Sequence, residues 1–160
     1  MTPPTSRPWL ALLGFLLLSV AVSAIGGGVT AGSVKTWFPT LIKPTWNPPS
    51  AVFAPVWTLL YALMAVAAWR IWCRRDRPGA KTVLWVYGVQ LVLNSAWSIL
   101  FFGLRNPAWA LIDIVALLGV LLWLQVAFWR LDRVAGMLWI PYVLWVSFAT
   151  ALNTAIWHLN

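Results

Sequence analysis

Conventional catalytic chemistry has little to work with in this chain. The single histidine, His158, lies two residues from the C-terminus, and Asp113 is the one acid inside a long apolar run. No carboxylate pair is placed for general acid–base work, and no Ser/His/Asp set has a workable partner order. Metal-ligand spacings are absent, as is a glycine-rich phosphate loop. The lone Cys73 excludes an intrachain disulfide, a cysteine-rich metal site and a CxxCH haem attachment. It reads as a thiol at a membrane edge. His158 reads better as an interfacial terminal histidine than as an axial haem ligand.

Indoles and neutral amides are what the chain has in quantity. Gln90, Asn94, Trp97 and Phe101 fall at i, i+4, i+7 and i+11, on one face of a helix. Trp57, Tyr61 and Met64 share a face in the same way, as do Tyr142, Trp145, Ala149 and Asn153. Amides facing lipid are costly, so Gln90, Asn94 and Asn153 should point inward. Two readings stay open. These side chains are interhelical packing and glue, or they converge on a cavity for a large, flat, apolar ligand. Asp113, as an intramembrane acid, is a functional candidate by default. Its place near a helix N-terminus, with Arg105 able to pair with it, favours a structural role.

The elements that must position these groups follow from composition. Apolar residues make up 62% of the 160, charged residues 9%, and there are fourteen tryptophans. Fourteen charged side chains cannot cover a soluble fold of this size. The chain is therefore an integral membrane protein, without the soluble platform a nucleic-acid-binding face requires. Five apolar runs can each cross a bilayer core of about 30 Å: 9–25, 51–73, 82–102, 108–129 and 134–157. No short alternating segments point to a β-barrel. The first run also has features of a cleavable signal peptide, with Arg7 before it and Val22-Ser23-Ala24 near its end. Five spans are preferred because the next loop, about 26–50, would otherwise be tethered at one end only. That loop holds Trp37, Phe38 and Trp46 among four prolines and is expected to fold over the bundle mouth as a lid. Trp9, Trp69, Trp72, Trp85, Trp129 and Trp157 fit an interfacial belt.

Basic residues are unevenly shared between the two ends. Arg7, Arg70, Arg74, Arg75, Arg77, Lys81, Arg130 and Arg133 fall on one side; Lys35, Lys43 and Arg105 fall on the other. The positive-inside rule then puts the N-terminus in the cytoplasm of a bacterial cell and the lid outside. Asn106-Pro107 should cap and open the fourth helix, and Pro141 should bend the fifth.

Several segments together resemble the TspO/MBR family of tryptophan-rich sensory and translocator proteins. They are Trp37-Phe38-Pro39-Thr40-Leu41-Ile42-Lys43-Pro44-Thr45-Trp46-Asn47-Pro48-Pro49, Pro55-Val56-Trp57, Leu93-Asn94-Ser95-Ala96-Trp97, Ala110-Leu111-Ile112-Asp113 and Ile140-Pro141-Tyr142-Val143-Leu144-Trp145. The resemblance implies a bundle of five transmembrane helices, often a homodimer, with the first loop capping a pocket. It implies a porphyrin ligand such as protoporphyrin IX or haem, with no required cofactor and no metal site. Carried over by motif, the pocket residues are Phe38, Pro48, Trp57, Asn94, Trp97, Trp145 and Ala149. Lys35 or Lys43 would meet propionates at the mouth. Tryptophans matching Trp57 and Trp145 are implicated in light-dependent porphyrin breakdown in some bacterial members. An enzyme-like reading therefore stands beside that of a sensor, scavenger or transporter. A structural subunit without its own ligand is the third reading. Thr154 and His158 stand where the family's cholesterol segment has Tyr and Arg, which argues against tight cholesterol binding.

Overall fold

The computed structural model describes residues 7–160 and contains five long helices: α1 (Pro8–Thr36), α2 (Phe53–Trp72), α3 (Ala80–Ser98), α4 (Pro107–Leu131) and α5 (Arg133–Leu159). Each is long and apolar enough to span a membrane, and the described residues include no strand. Going round the bundle, α1 packs on α2, α2 on α5, α5 on α4, and α4 on α3. The ring closes where α3 and a π-helical turn at its end, Ile99–Gly103, meet α1.

Local chemistry sets the helix ends. Asn106 accepts a hydrogen bond from the Trp109 backbone N–H at 3.2 Å, with Pro107 in the first turn, as expected for the start of α4. Gly79 turns the chain into α3 at φ 84°, a conformation that suits glycine. Between α4 and α5 only Asp132 intervenes, and its carboxylate accepts from the Val134 N–H at 3.0 Å. So tight a hairpin leaves no room beside Gly136. A Cβ there would come within 2.9 Å of the Trp129 Cα.

The first span is longer than its apolar run suggests. Its helix continues through Gly26-Gly27-Gly28 to Thr36, so the lid is Trp37–Pro49 rather than 26–50. A glycine costs a helix about 1 kcal/mol, whereas an unpaired backbone group in hydrocarbon costs several. The helix therefore persists. Gly26 also lets α3 come close, since a Cβ there would lie 3.3 Å from the Ser98 Oγ.

The half of the bundle near the basic loops is densely filled. Ala65, Ala67 and Ala68 bring α2 against its neighbours, and Trp139 is fully buried beside Phe128 and Tyr142. Its indole N–H donates to the Leu121 carbonyl at 3.2 Å. Trp9, Trp85, Trp129 and Trp157 are exposed near helix ends, as a belt requires. Arg105 does not pair with Asp113. It sits in the turn before α4 at φ 53°, and the Asp113 Oδ2 is buried with no partner among the described residues.

Asp132 forms the ion pairs found among the described residues, at 2.6 Å to both Arg70 and Arg74. Burial alone would raise its pKa. The Arg70 hydrogen bond, the Val134 N–H and the charges of Arg70 and Arg74 outweigh that and hold it below the usual carboxylate range. A depressed pKa contributes stability that is complete above the unfolded-chain value of about 3.9. That stability is lost as pH falls through the lower folded value. Asp132 is 3% exposed but its partners are 27% and 32% exposed, so solvent screens part of the attraction. Asp132→Ala is expected to cost about 1–3 kcal/mol in a detergent unfolding titration at neutral pH. Asp132→Asn, which still caps α5, should cost less. Equal losses would assign the whole effect to the ion pairs.

Candidate ligand cavity

The opposite half of the bundle encloses a cavity of about 400 Å³, within the range of small-molecule sites. Four helices wall it and α4 does not. Trp57 and Tyr61 come from α2, Asn94 and Trp97 from α3, and Trp145, Ala149 and Asn153 from α5. α1 supplies a wall of small residues that includes Gly26, Gly27, Thr30 and Ala31. The π turn adds Phe101 and Phe102, whose ring centroids lie 4.8 Å apart. Its widened geometry puts both rings inside and shifts its carbonyls out of α-helical register. Ser33 of α1 donates to the Phe102 carbonyl at 2.6 Å and fastens the turn to the first helix.

Below the aromatic walls, polar groups pair with one another. The Tyr61 hydroxyl donates to the Asn94 Oδ1 at 2.6 Å, and the Asn94 Nδ2 donates to the Tyr142 oxygen at 2.8 Å. The Tyr142 hydroxyl donates in turn to the Gln90 Oε1 at 2.9 Å. All four side chains are buried. Asn153 accepts from the Trp97 indole at 3.0 Å and donates to the Pro107 carbonyl at 2.8 Å. It is both wall and glue, tying α3 to the start of α4.

The first loop closes the end of this half. Phe38 is buried, 5.9 Å from Phe102 and 6.3 Å from Phe53 between ring centroids. Lys43 curls back and donates to the carbonyls of Phe38 and Leu41 at 2.8 and 2.9 Å. Asn160 clips the lid through paired bonds with the Ile42 backbone, at 3.0 and 2.9 Å.

Six of the seven residues expected at the pocket line this cavity: Phe38, Trp57, Asn94, Trp97, Trp145 and Ala149. Pro48 lies off the wall, half-buried in the stretch leading to α2. Of the two lysines expected at the mouth, Lys43 is committed to lid carbonyls and Lys35 lines the cavity. Asp113 and the exposed His158 lie away from it. The α1 wall, Phe53 and the Asn160 clip were not foreseen. A glycine-rich stretch directly before the aromatic loop was the signal available for the first.

These features define a multi-pass membrane protein with one ligand-sized, indole-lined cavity beneath a tethered loop. The chain belongs to the TspO/MBR family, whose profile matches residues 15–158. It is 37% identical to the translocator protein of Sus scrofa, over 96% of this chain and 92% of that one. It is 38% identical to the tryptophan-rich protein TspO of Chlorobaculum tepidum, over 89% and 91%. Identity to the tryptophan-rich sensory protein of Cereibacter sphaeroides is 37%, over 95% and 92%.

The floor network carries its own expectation. Tyr61→Phe removes one hydrogen bond and should cost about 1 kcal/mol, whereas Asn94→Leu strands the buried Tyr61 hydroxyl and also takes away the donor to the Tyr142 oxygen, and should cost about 1–3 kcal/mol. Unfolding in mixed detergent checks both. Equal costs would mean that the network holds nothing together beyond its packing.

Proposed function

We propose that the cavity binds a tetrapyrrole and that the protein serves in its membrane as a sensor, scavenger or transporter of that ligand. The supporting observation is that three indoles, Trp57, Trp97 and Trp145, face one enclosed space with a buried amide at its floor and an exposed lysine at its rim. Flat aromatic walls suit a broad apolar macrocycle, and the single cation, Lys35, suits its acidic substituents. Trp97 is fixed by its stack on Phe101 at 5.4 Å and its bond to Asn153, so it forms a rigid wall. Trp145 contacts Phe53 and Phe148 edge-on and at a tilt, leaving it the more adaptable surface. On this reading the basic end faces the cytoplasm, the lid faces outward, and two copies pair in the membrane.

Titration with protoporphyrin IX, followed by quenching of tryptophan fluorescence, tests the reading. Trp145→Ala should weaken binding by about 1–3 kcal/mol, roughly 5- to 150-fold. Trp85→Ala, 79% exposed on the outer surface, should leave it unchanged. Ala149→Leu should reduce affinity while the protein still folds, because added methylenes in a packed site cost about 1–3 kcal/mol. Equal losses from Trp145→Ala and Trp85→Ala would reduce the tryptophans to a structural role. Loss of the porphyrin spectrum under light and oxygen would replace binding with degradation.

A further inference from the structure

We propose that the cavity is loaded sideways from the bilayer, through a gap between α1 and α2, and that Lys35 at the lid end of the gap engages the acidic group of a membrane-dissolved amphiphile. This rests on the ligand-site reading above and adds the route and the ligand's charge.

Among the residues lining the cavity, the exposed ones are Gly27, Ala31, Lys35, Ser50, Ala54 and Thr58. All of them lie on α1, at the start of α2 or, for Ser50, in the short turn just before it, while the linings from α3 and α5 are half-buried or buried. The opening is thus confined to one seam. Gly27 and Ala31 are four residues apart on one helix, and Ala54 and Thr58 are four apart on the other, so each pair shares a face. No side chain at these positions is longer than threonine, and a Cβ on Gly27 would meet nothing within 4 Å. The two helices are tied elsewhere, at the basic end, where the Trp69 indole donates to the Pro8 carbonyl at 2.7 Å.

Depth decides what the seam faces. Lys35 lies in the last turn of α1, which puts Ala31 and Gly27 about 6 and 12 Å further into the membrane. The gap therefore opens on acyl chains, where an apolar body partitions freely. The Thr58 hydroxyl donates to the Ala54 carbonyl at 2.9 Å, so it presents no unpaired donor to that path. Lys35 has no hydrogen-bond or ion-pair partner among the described residues, and its aliphatic stem can lie along the seam while its ammonium reaches the headgroups. The end-on route is closed by contrast. Phe38 plugs it, Lys43 stitches the lid's carbonyls together, and Asn160 latches the lid to α5.

The test uses Ala149→Cys, inside the cavity, in a Cys73→Ser background reconstituted into liposomes. A membrane-dissolved pyrene maleimide should label it at least tenfold faster than a sulfonated, water-confined maleimide. Ala31→Trp with Thr58→Phe should slow the pyrene reagent at least fivefold, and the milder Ala31→Leu and Ala54→Leu give a graded check if the double variant misfolds. Asn160→Ala with Lys43→Met, which frees the lid, should leave the pyrene rate alone. Faster labelling on freeing the lid, with none lost on blocking the seam, would overturn the lateral route. A second arm measures association of protoporphyrin IX and of its dimethyl ester. The free acid should associate at least threefold faster, and Lys35→Met should abolish the difference; a difference that survives would overturn the role of Lys35. Absence of any saturable porphyrin quenching in the unaltered protein would strike the ligand reading alone, since the thiol arm uses no porphyrin.

Discussion

Hydrocarbon offers no partner to a polar group, and the arrangement of this bundle follows from where its polar side chains have gone. Gln90, Asn94 and Asn153 on α3 and α5 are buried, and each is bonded to a group on another helix. The Tyr61–Asn94–Tyr142–Gln90 chain joins α2, α3 and α5 at mid-depth. Once that contact is made, the rotation of all three helices is set. Turning any one of them would put an amide or hydroxyl into lipid. The same rotation places Trp57, Trp97 and Trp145 above the network, facing one another across open space. The cavity is thus a consequence of the polar contact below it.

Much of this was legible because the bilayer simplifies the code. Apolar length marks the spans, Asn106-Pro107 marks a helix start, and an amide at helical spacing points inward since outward is too costly. The misreadings have a common physical origin. Gly26-Gly27-Gly28 looked like a boundary because glycine ends helices in water, where the solvent competes for backbone groups. Lys43 looked like an anion site because a charged side chain near a mouth usually is one. Here it satisfies lid carbonyls that no helix can pair. Arg105 is close to Asp113 in the chain, but its backbone conformation belongs to the turn after the π-helical segment. The π turn itself has no composition signature in Ile99–Gly103. Without it, Phe101 and Phe102 would not both face inward.

The two ends of the bundle divide the physical work. Near the basic loops, Trp139, Phe128, Leu121 and Leu124 leave no space, and Asp132 fastens α2 to the α4–α5 hairpin. Near the lid, the helices are spread and their contacts run through aromatic rings and single hydrogen bonds such as Ser33 to Phe102. A dense, ion-paired end supplies stability that a hollow end forgoes, since lining atoms of a void lose their dispersion partners. Large hydrophobic side chains on α1 would have filled the void easily. Instead its inner face carries Ser23, Gly26, Gly27, Thr30 and Ala31.

That choice separates packing from function on a single helix. α1 buries only Ser19, Val22 and Ser33, and its outer surface is leucine-rich, as suits a helix that faces lipid on its outer side. The Asn94 network does not include α1, so the position of α1 does not depend on it. The hydrogen bonds of α1 to other elements run from Trp69 to Pro8 and from Ser33 to Phe102, one near each end, while Phe15 and Val22 pack on the core between them. In the lid-proximal part of α1, the side of the helix that borders the cavity carries the small residues Ser23, Gly26, Gly27, Thr30 and Ala31. The polar contact thus fixes α2, α3 and α5 against one another, while the wall that α1 adds to the cavity is made of side chains too small to fill it.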